Sequence, residues 1–138
     1  MALEMHAFVR SQTLPSVDDW QAALVGLALP FQLDPALDLA TARGYVPCRV
    51  YGKDSGAEMF VDSVTDLVAA YPQIESLVRD ARLVVSFRWG GDEMECACAL
   101  AAAAGLITAG DALVYYPPDE MWYDLDGLRA DFNALAPG

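Results

Sequence analysis

RLVVSFRWGGDEMECACALAAAAGLITAGDALVYY, residues 82–116, reads as a strand, a helix and a second strand in that order. Leu83–Phe87 is an almost continuous apolar run, which suits an inner strand covered on both faces. Gly90 and Gly91 turn the chain, Asp92 is placed to cap a helix over about 92–108, and Ala112–Tyr116 form a strand that Pro117 and Pro118 end. A strand, a helix and a strand in succession predict a β-α-β crossover, with 82–89 and 112–116 as neighbouring parallel strands. On a helix, Met94, Ala97, Cys98, Ala101 and Gly105 share one face, and Cys96, Leu100, Ala103 and Ile107 another. Little of its middle is polar, so the helix is expected to be buried on more than one side and to approach its neighbours closely.

Outward from that unit, LEMHAFV at 3–9 reads as a first strand. A helix follows Ser16, with Asp19 three positions on, Trp20, Ala23, Leu24 and Leu27 on its apolar face, and Pro30 as its end. Residues 34–44 are either a short helix or an irregular connection closed by Gly44. Two strand segments flank GKDSG at 52–56 as a loose hairpin, with Cys48 and Val50 alternating against Arg49 and with Met59 and Val61 on the second arm. Residues 65–81 are helical in pattern but divided by Pro72, either as two short helices, 67–71 and 73–80, or as one bent helix. Leu125, Leu128, Phe132 and Leu135 make a final helical stripe. The pattern is that of a single α+β domain over 1–138, a mixed β-sheet packed with helices.

A chain of 138 residues with 55 % hydrophobic content can build a core of its own. Its longest apolar run, ALAAAAGLI at 99–107, is far short of the roughly 20 residues that cross a bilayer, so no membrane association is expected. The opening MALEMHAFVR has no basic leader before a long apolar segment, which makes the cytoplasm the expected location. Cys48, Cys96 and Cys98 are odd in number and lack CxxC spacing, which supports neither a disulfide framework nor a thioredoxin-type pair.

Twenty acids against eight bases give a formal charge of −12, and Arg129 is the only base among nine acids in residues 89–138. Phosphate neutralisation needs clustered Lys and Arg, so a nucleic-acid partner is not expected; an acidic surface instead favours encounter with basic proteins.

Asp92, Glu93 and Glu95 sit at a helix start, where the dipole favours them and where they would repel a phosphate. RWGGDE is neither GxGxxG nor GxxxxGK[ST], and no nucleotide or other cofactor is expected. Cys96 and Cys98 point about 200° apart on a helix; embedded among alanines, they read as packing residues, and a single histidine, His6, is too little for common zinc patterns. Catalysis by a carboxylate pair stays open as the alternative, a small hydrolase using acidic residues. Arg88 and Trp89 have two readings. In one, Trp89 covers the core edge and Arg88 pairs with Glu93 or Glu95. In the other, Arg88, Trp89, Asp92, Glu93, Asp119, Glu120, Trp122 and Tyr123 form one partner-binding face, since two parallel strands would bring their following loops to one edge.

VVSFRWGGDEMECACALAAAAGL (84–106) followed by GDALVYYPPDEMWY (110–123) resembles a pattern in small acidic bacterial α+β proteins that act as immunity proteins of polymorphic or secreted toxin systems. The resemblance covers about residues 82–123 and rests on F-R-W-G-G-D-E and Y-P-P-D-E-x-W-Y; residues 1–60 do not share in it. It implies a non-catalytic domain that binds a cognate toxin and blocks it, a role in which acidity suits a basic toxin. It carries over no individual contact residue.

Overall fold

The computed structural model describes residues 3–136. Seven strands, β1 (Leu3–Val9), β2 (Phe31–Leu33), β3 (Arg43–Val50), β4 (Lys53–Asp62), β5 (Leu83–Trp89), β6 (Leu113–Tyr116) and β7 (Met121–Tyr123), form one sheet in the order β2-β3-β4-β5-β1-β6-β7. The helices are α1 (Val17–Gly26), α2 (Val64–Ala70), α3 (Glu93–Gly110) and α4 (Leu125–Leu135). The α+β class and the crossover through α3 are as the sequence indicates.

The neighbour relation within the crossover is not. β5 and β6 run in the same direction, but β1 lies between them and pairs antiparallel with both, Ala7 opposite Val85 on one side and Val114 on the other. In the same way β5 separates β1 from β4, pairing antiparallel with each. Two split β-α-β units, β1-α1-β4 and β5-α3-β6, therefore interlock, each supplying the strand that fills the other's gap; this is the ferredoxin-like arrangement. The β2-β3 hairpin extends one side of this four-stranded centre and β7 the other. Both edge strands are three residues long, which leaves little unpaired backbone to template another chain.

α1, α3 and α4 cover one face of the sheet. Every residue of α3 from Ala97 to Leu106 is buried, enclosed by the sheet, Trp20 and Leu24 of α1, and Leu128 and Phe132 of α4. Among the described residues α3 is the one helix long and apolar enough to cross a membrane, and packing inside the domain covers most of it. Its close approach to α1 depends on Gly105: a Cβ there would lie 2.7 Å from the Trp20 ring, whose Nε1–H donates to Ala102 O at 2.9 Å. The caps are those the sequence indicates. Ser16 Oγ accepts from Asp19 N, and Asp92 Oδ1 accepts from Met94 N and Glu95 N. Such caps contribute about 1 kcal/mol each.

The opposite face is covered over β1, β5 and β6, where Leu67 of α2, with Ile74 and Val78 beyond it, packs on Phe8, Val84 and Tyr115. Pro72 opens a separate 3-10 turn, Pro72–Leu77, at the division the sequence marks.

Three local features are settled only in the structure. Strands β3 and β4 are joined by Tyr51 and Gly52 alone, at φ 50° and 75°, a tight turn instead of a loop over 52–56. Lys53–Ser55 continue the strand opposite Val50–Cys48. Residues 34–44 hold one 3-10 turn, Leu39–Thr41, capped by Asp38. Met121–Tyr123 form a short strand on β6, and Asp124 beyond it caps α4 by accepting from Gly127 N at 2.7 Å.

Candidate functional site

Because β5 and β6 point the same way, the Gly90–Gly91 loop and the Pro117–Glu120 turn leave the sheet at one edge. An aromatic stack joins the two strand ends there: Trp89 lies on Tyr116, centroids 6.5 Å apart and 12° from parallel, and Tyr116 meets Tyr123 at 6.1 Å. Tyr123 OH donates to Asp131 Oδ2 of α4 at 2.6 Å; burial, then this carboxylate, push the phenol pKa up. Around the stack, Asp92, Glu93, Asp119 and Glu120 are exposed. Glu120 stands at φ 49°, a left-handed position at the end of the 3-10 turn.

The eight residues of the candidate face do not share one surface. Successive strand residues point to opposite sides of a sheet, so Trp89 and Tyr123 belong to the α3 side while Arg88 and Trp122 belong to the other. Trp89 is 4 % exposed and is a core residue. Trp122 packs on Tyr115 and Phe8, at 4.9 and 6.1 Å between centroids. Arg88 reaches neither Glu93 nor Glu95. Its Nε lies 3.6 Å from Glu4 Oε2 of the neighbouring strand, and its guanidinium stands 5.3 Å over the Phe60 ring. The alternation that separates 88 from 89 and 122 from 123 is readable once both segments are taken as strands.

Behind Arg88 the sheet carries a polar network. His6 and Ser86, Cα partners across β1 and β5, are the buried polar pair of the core, and His6 Nδ1 lies 2.7 Å from Ser86 Oγ. His6 Nε2 is 3.4 Å from Glu4 Oε1 without hydrogen-bond geometry to it. Tyr71 donates its phenol proton to Glu4, and its ring stands 5.9 Å from the imidazole. Carboxylate, imidazole and hydroxyl thus fall in a row, but Ser86 is 1 % exposed and no substrate carbonyl can reach its oxygen. The sequence shows His6 as a lone histidine; only register places Ser86, eighty residues away, beside it.

Burial lowers the His6 pKa, with Glu4 pulling it back up only in part. For Glu4, burial pushes upward, but Tyr71, His6 and Arg88 together hold the carboxyl below its ordinary range. A histidine whose folded pKa is depressed contributes stability that is present above its unfolded pKa of about 6.5 and is lost as pH falls through the folded value. His6 is the only histidine, so the window is unobstructed. The thermal midpoint is expected to fall between about pH 7.5 and pH 5.5, and His6→Asn to flatten that slope. Equal slopes for both proteins would remove His6 as the cause.

A concavity lies elsewhere, an open cavity of about 970 Å3 between α1 and the β2–β4 side of the sheet. Gln21, Leu33, Tyr45, Cys48, Arg49 and Ser55 are among its lining residues. Arg49 Nε pairs with Asp54 Oδ1 at 3.2 Å on its exposed rim. Among the described residues no three His, Cys, Asp or Glu side chains converge as a metal-binding set. No protein-family model matches the chain, and no curated protein or solved structure matches it.

Proposed function

We propose that this chain is a non-catalytic binding domain that neutralises a basic bacterial toxin, with the edge at the ends of β5 and β6 as its contact surface. The observation that carries the reading is the exposed set Asp92, Glu93, Asp119 and Glu120, at the start of α3 and in the Pro117–Glu120 turn, which follow parallel strands joined by the Trp89–Tyr116–Tyr123 stack. The stack is a rigid base and not itself the contact; the acids above it are free to meet a cationic partner. In a chain of net charge −12 they add to a field that steers basic proteins toward this edge. The resemblance of residues 82–123 to immunity proteins names the kind of partner, and such a protein acts in the cytoplasm of the cell that makes the toxin.

The test starts from the product of the adjacent gene, co-expressed with this chain and assayed for rescue of growth and for binding. Both Glu93 and Glu120 are exposed, so Glu93→Lys with Glu120→Lys should leave the fold intact. The association rate is expected to fall on the order of tenfold at low salt and to depend less on ionic strength than in the wild type. Unchanged association would move the contact surface elsewhere on the domain. A neighbour that is harmless when expressed alone would remove the toxin assignment.

Substrate turnover by the purified protein without any partner would instead support a small hydrolase using acidic residues and overturn the non-catalytic assignment.

A further inference from the structure

Strand β2 is the edge of the sheet beyond β3, and its register fixes which of its backbone groups face outward. Tyr51 N–H donates to Pro30 O at 2.9 Å. Hydrogen-bonded and non-hydrogen-bonded pairs alternate along an antiparallel ladder, so Gln32 directs its N–H and C=O to β3, while Phe31 and Leu33 direct theirs away from it. Those outward groups already have partners. Gln21 of α1 donates from Nε2 to Phe31 O at 3.0 Å and accepts at Oε1 from Leu33 N–H at 2.8 Å, so one carboxamide makes two of the contacts that a further strand would make. Phe31 N–H turns back onto Leu29 O at 2.8 Å. There is room beside this edge, since Gln21 and residues 32–35 are among those lining the open cavity between α1 and the β2–β4 side of the sheet.

We propose that the β2 edge is a pairing site for a second copy of this chain, which Gln21 holds shut. The proposal is independent of the toxin-binding reading. The occupant follows from the groups that the carboxamide covers. An acceptor at Phe31 and a donor at Leu33 are complementary to themselves across a two-fold axis at Gln32: Leu33 N–H of each copy meets Phe31 O of the other, and Gln32 stands opposite its own counterpart. Gln32 is exposed, and in that antiparallel pair it falls at a non-hydrogen-bonded position, where facing Cα atoms stand about 4.5 Å apart. A strand of three residues makes a small and weak interface, and a net charge of −12 on each copy opposes it further. With the carboxamide withdrawn, a dimer is therefore expected only near about 1 mM protein, and added salt should favour it.

Gln21 also ties α1 to β2, and the two roles separate by their consequences. A tie alone predicts lower stability and no association when the carboxamide is removed. A guard predicts that the freed Phe31 O and Leu33 N–H find each other across two copies, as unpaired edge groups do.

The experiment replaces Gln21 in the full chain by Ala, which suits a helix, and by Ser as a second variant, and follows mass by sedimentation and amide exchange by NMR. The wild type should stay monomeric at about 1 mM, with Leu33 N–H exchanging at one rate at every concentration. In dilute Gln21→Ala that amide should exchange faster on the order of tenfold, and it should regain protection as the dimer forms. Gln32→Cys added to Gln21→Ala should cross-link two chains through position 32 under mild oxidation, because about 4.5 Å between Cα atoms lies in the range a disulfide spans. Gln32→Cys in the otherwise wild-type chain should cross-link far less. Three results would each overturn the proposal: folded variants that stay monomeric at about 1 mM, a dimer that neither protects Leu33 N–H nor cross-links through position 32, or a wild type that dimerises as readily as the variants.

Discussion

Trp20→Ala is expected to be among the most damaging single substitutions, at about 3–5 kcal/mol. The side chain is fully buried between α1 and α3, and its removal leaves a cavity and takes away the indole N–H bond to Ala102 O. The same contact fixes the sign of a second change. In a solvated helix Gly→Ala stabilises by about 1 kcal/mol, but at Gly105 the added Cβ would stand 2.7 Å from Trp20 Cδ1 and 3.1 Å from Leu24 Cγ. Gly105→Ala should therefore destabilise, by about 1–3 kcal/mol. With Trp20→Ala in place the principal obstacle is gone, and Gly105→Ala should become neutral or stabilising. Urea unfolding of the two single variants and the double variant measures this directly. If the Gly105→Ala cost is the same with and without the indole, the two residues are not coupled.

Gly56→Ala is expected to cost about 3 kcal/mol, the upper part of the overpacking range. A Cβ at Gly56 would lie 2.5 Å from both the Tyr45 ring and the Val46 carbonyl oxygen. The first obstacle is an exposed side chain that can swing aside; the second is backbone in the β3–β4 ladder and cannot move without breaking register. Tyr45→Ala should consequently recover only part of the loss, in contrast to the Trp20 and Gly105 pair. Full recovery would show that the ring alone sets the limit.

Much of the fold was legible in local pattern. The cap at Asp92, the alanines of α3, the division at Pro72 and the Leu128–Phe132 stripe of α4 all depend on residues within a few positions of one another, and each appears where the sequence puts it. The multi-sided burial of α3 was legible for the same reason, since a run with so few polar side chains cannot rest with one face in water. The tight turn at Tyr51–Gly52 escaped notice because Tyr-Gly is not the Asn-Gly or Asp-Gly signal that such turns usually carry. Strands β2 and β7, at three residues each, are too short to show alternation.

For the candidate site, the acids were legible and their arrangement was not. Sequence placed Asp92 and Glu93 at a helix start and Asp119 and Glu120 after the strand that ends at Tyr116, and they are exposed there. Grouping Arg88 with Trp89, and Trp122 with Tyr123, ignored the period of two that sends neighbouring strand residues to opposite faces. Two relations arose only from the assembled chain: β1 between β5 and β6, and Ser86 beside His6. Helix caps and apolar periodicity are local, so the sequence by itself determined which segments become helices and which face each helix buries. Backbone hydrogen bonds between strands are nearly blind to side-chain identity. Which edges pair is therefore settled by burying α1, α3 and α4 together on one face of the sheet, and that choice, made only in the tertiary structure, brought the distant polar groups together.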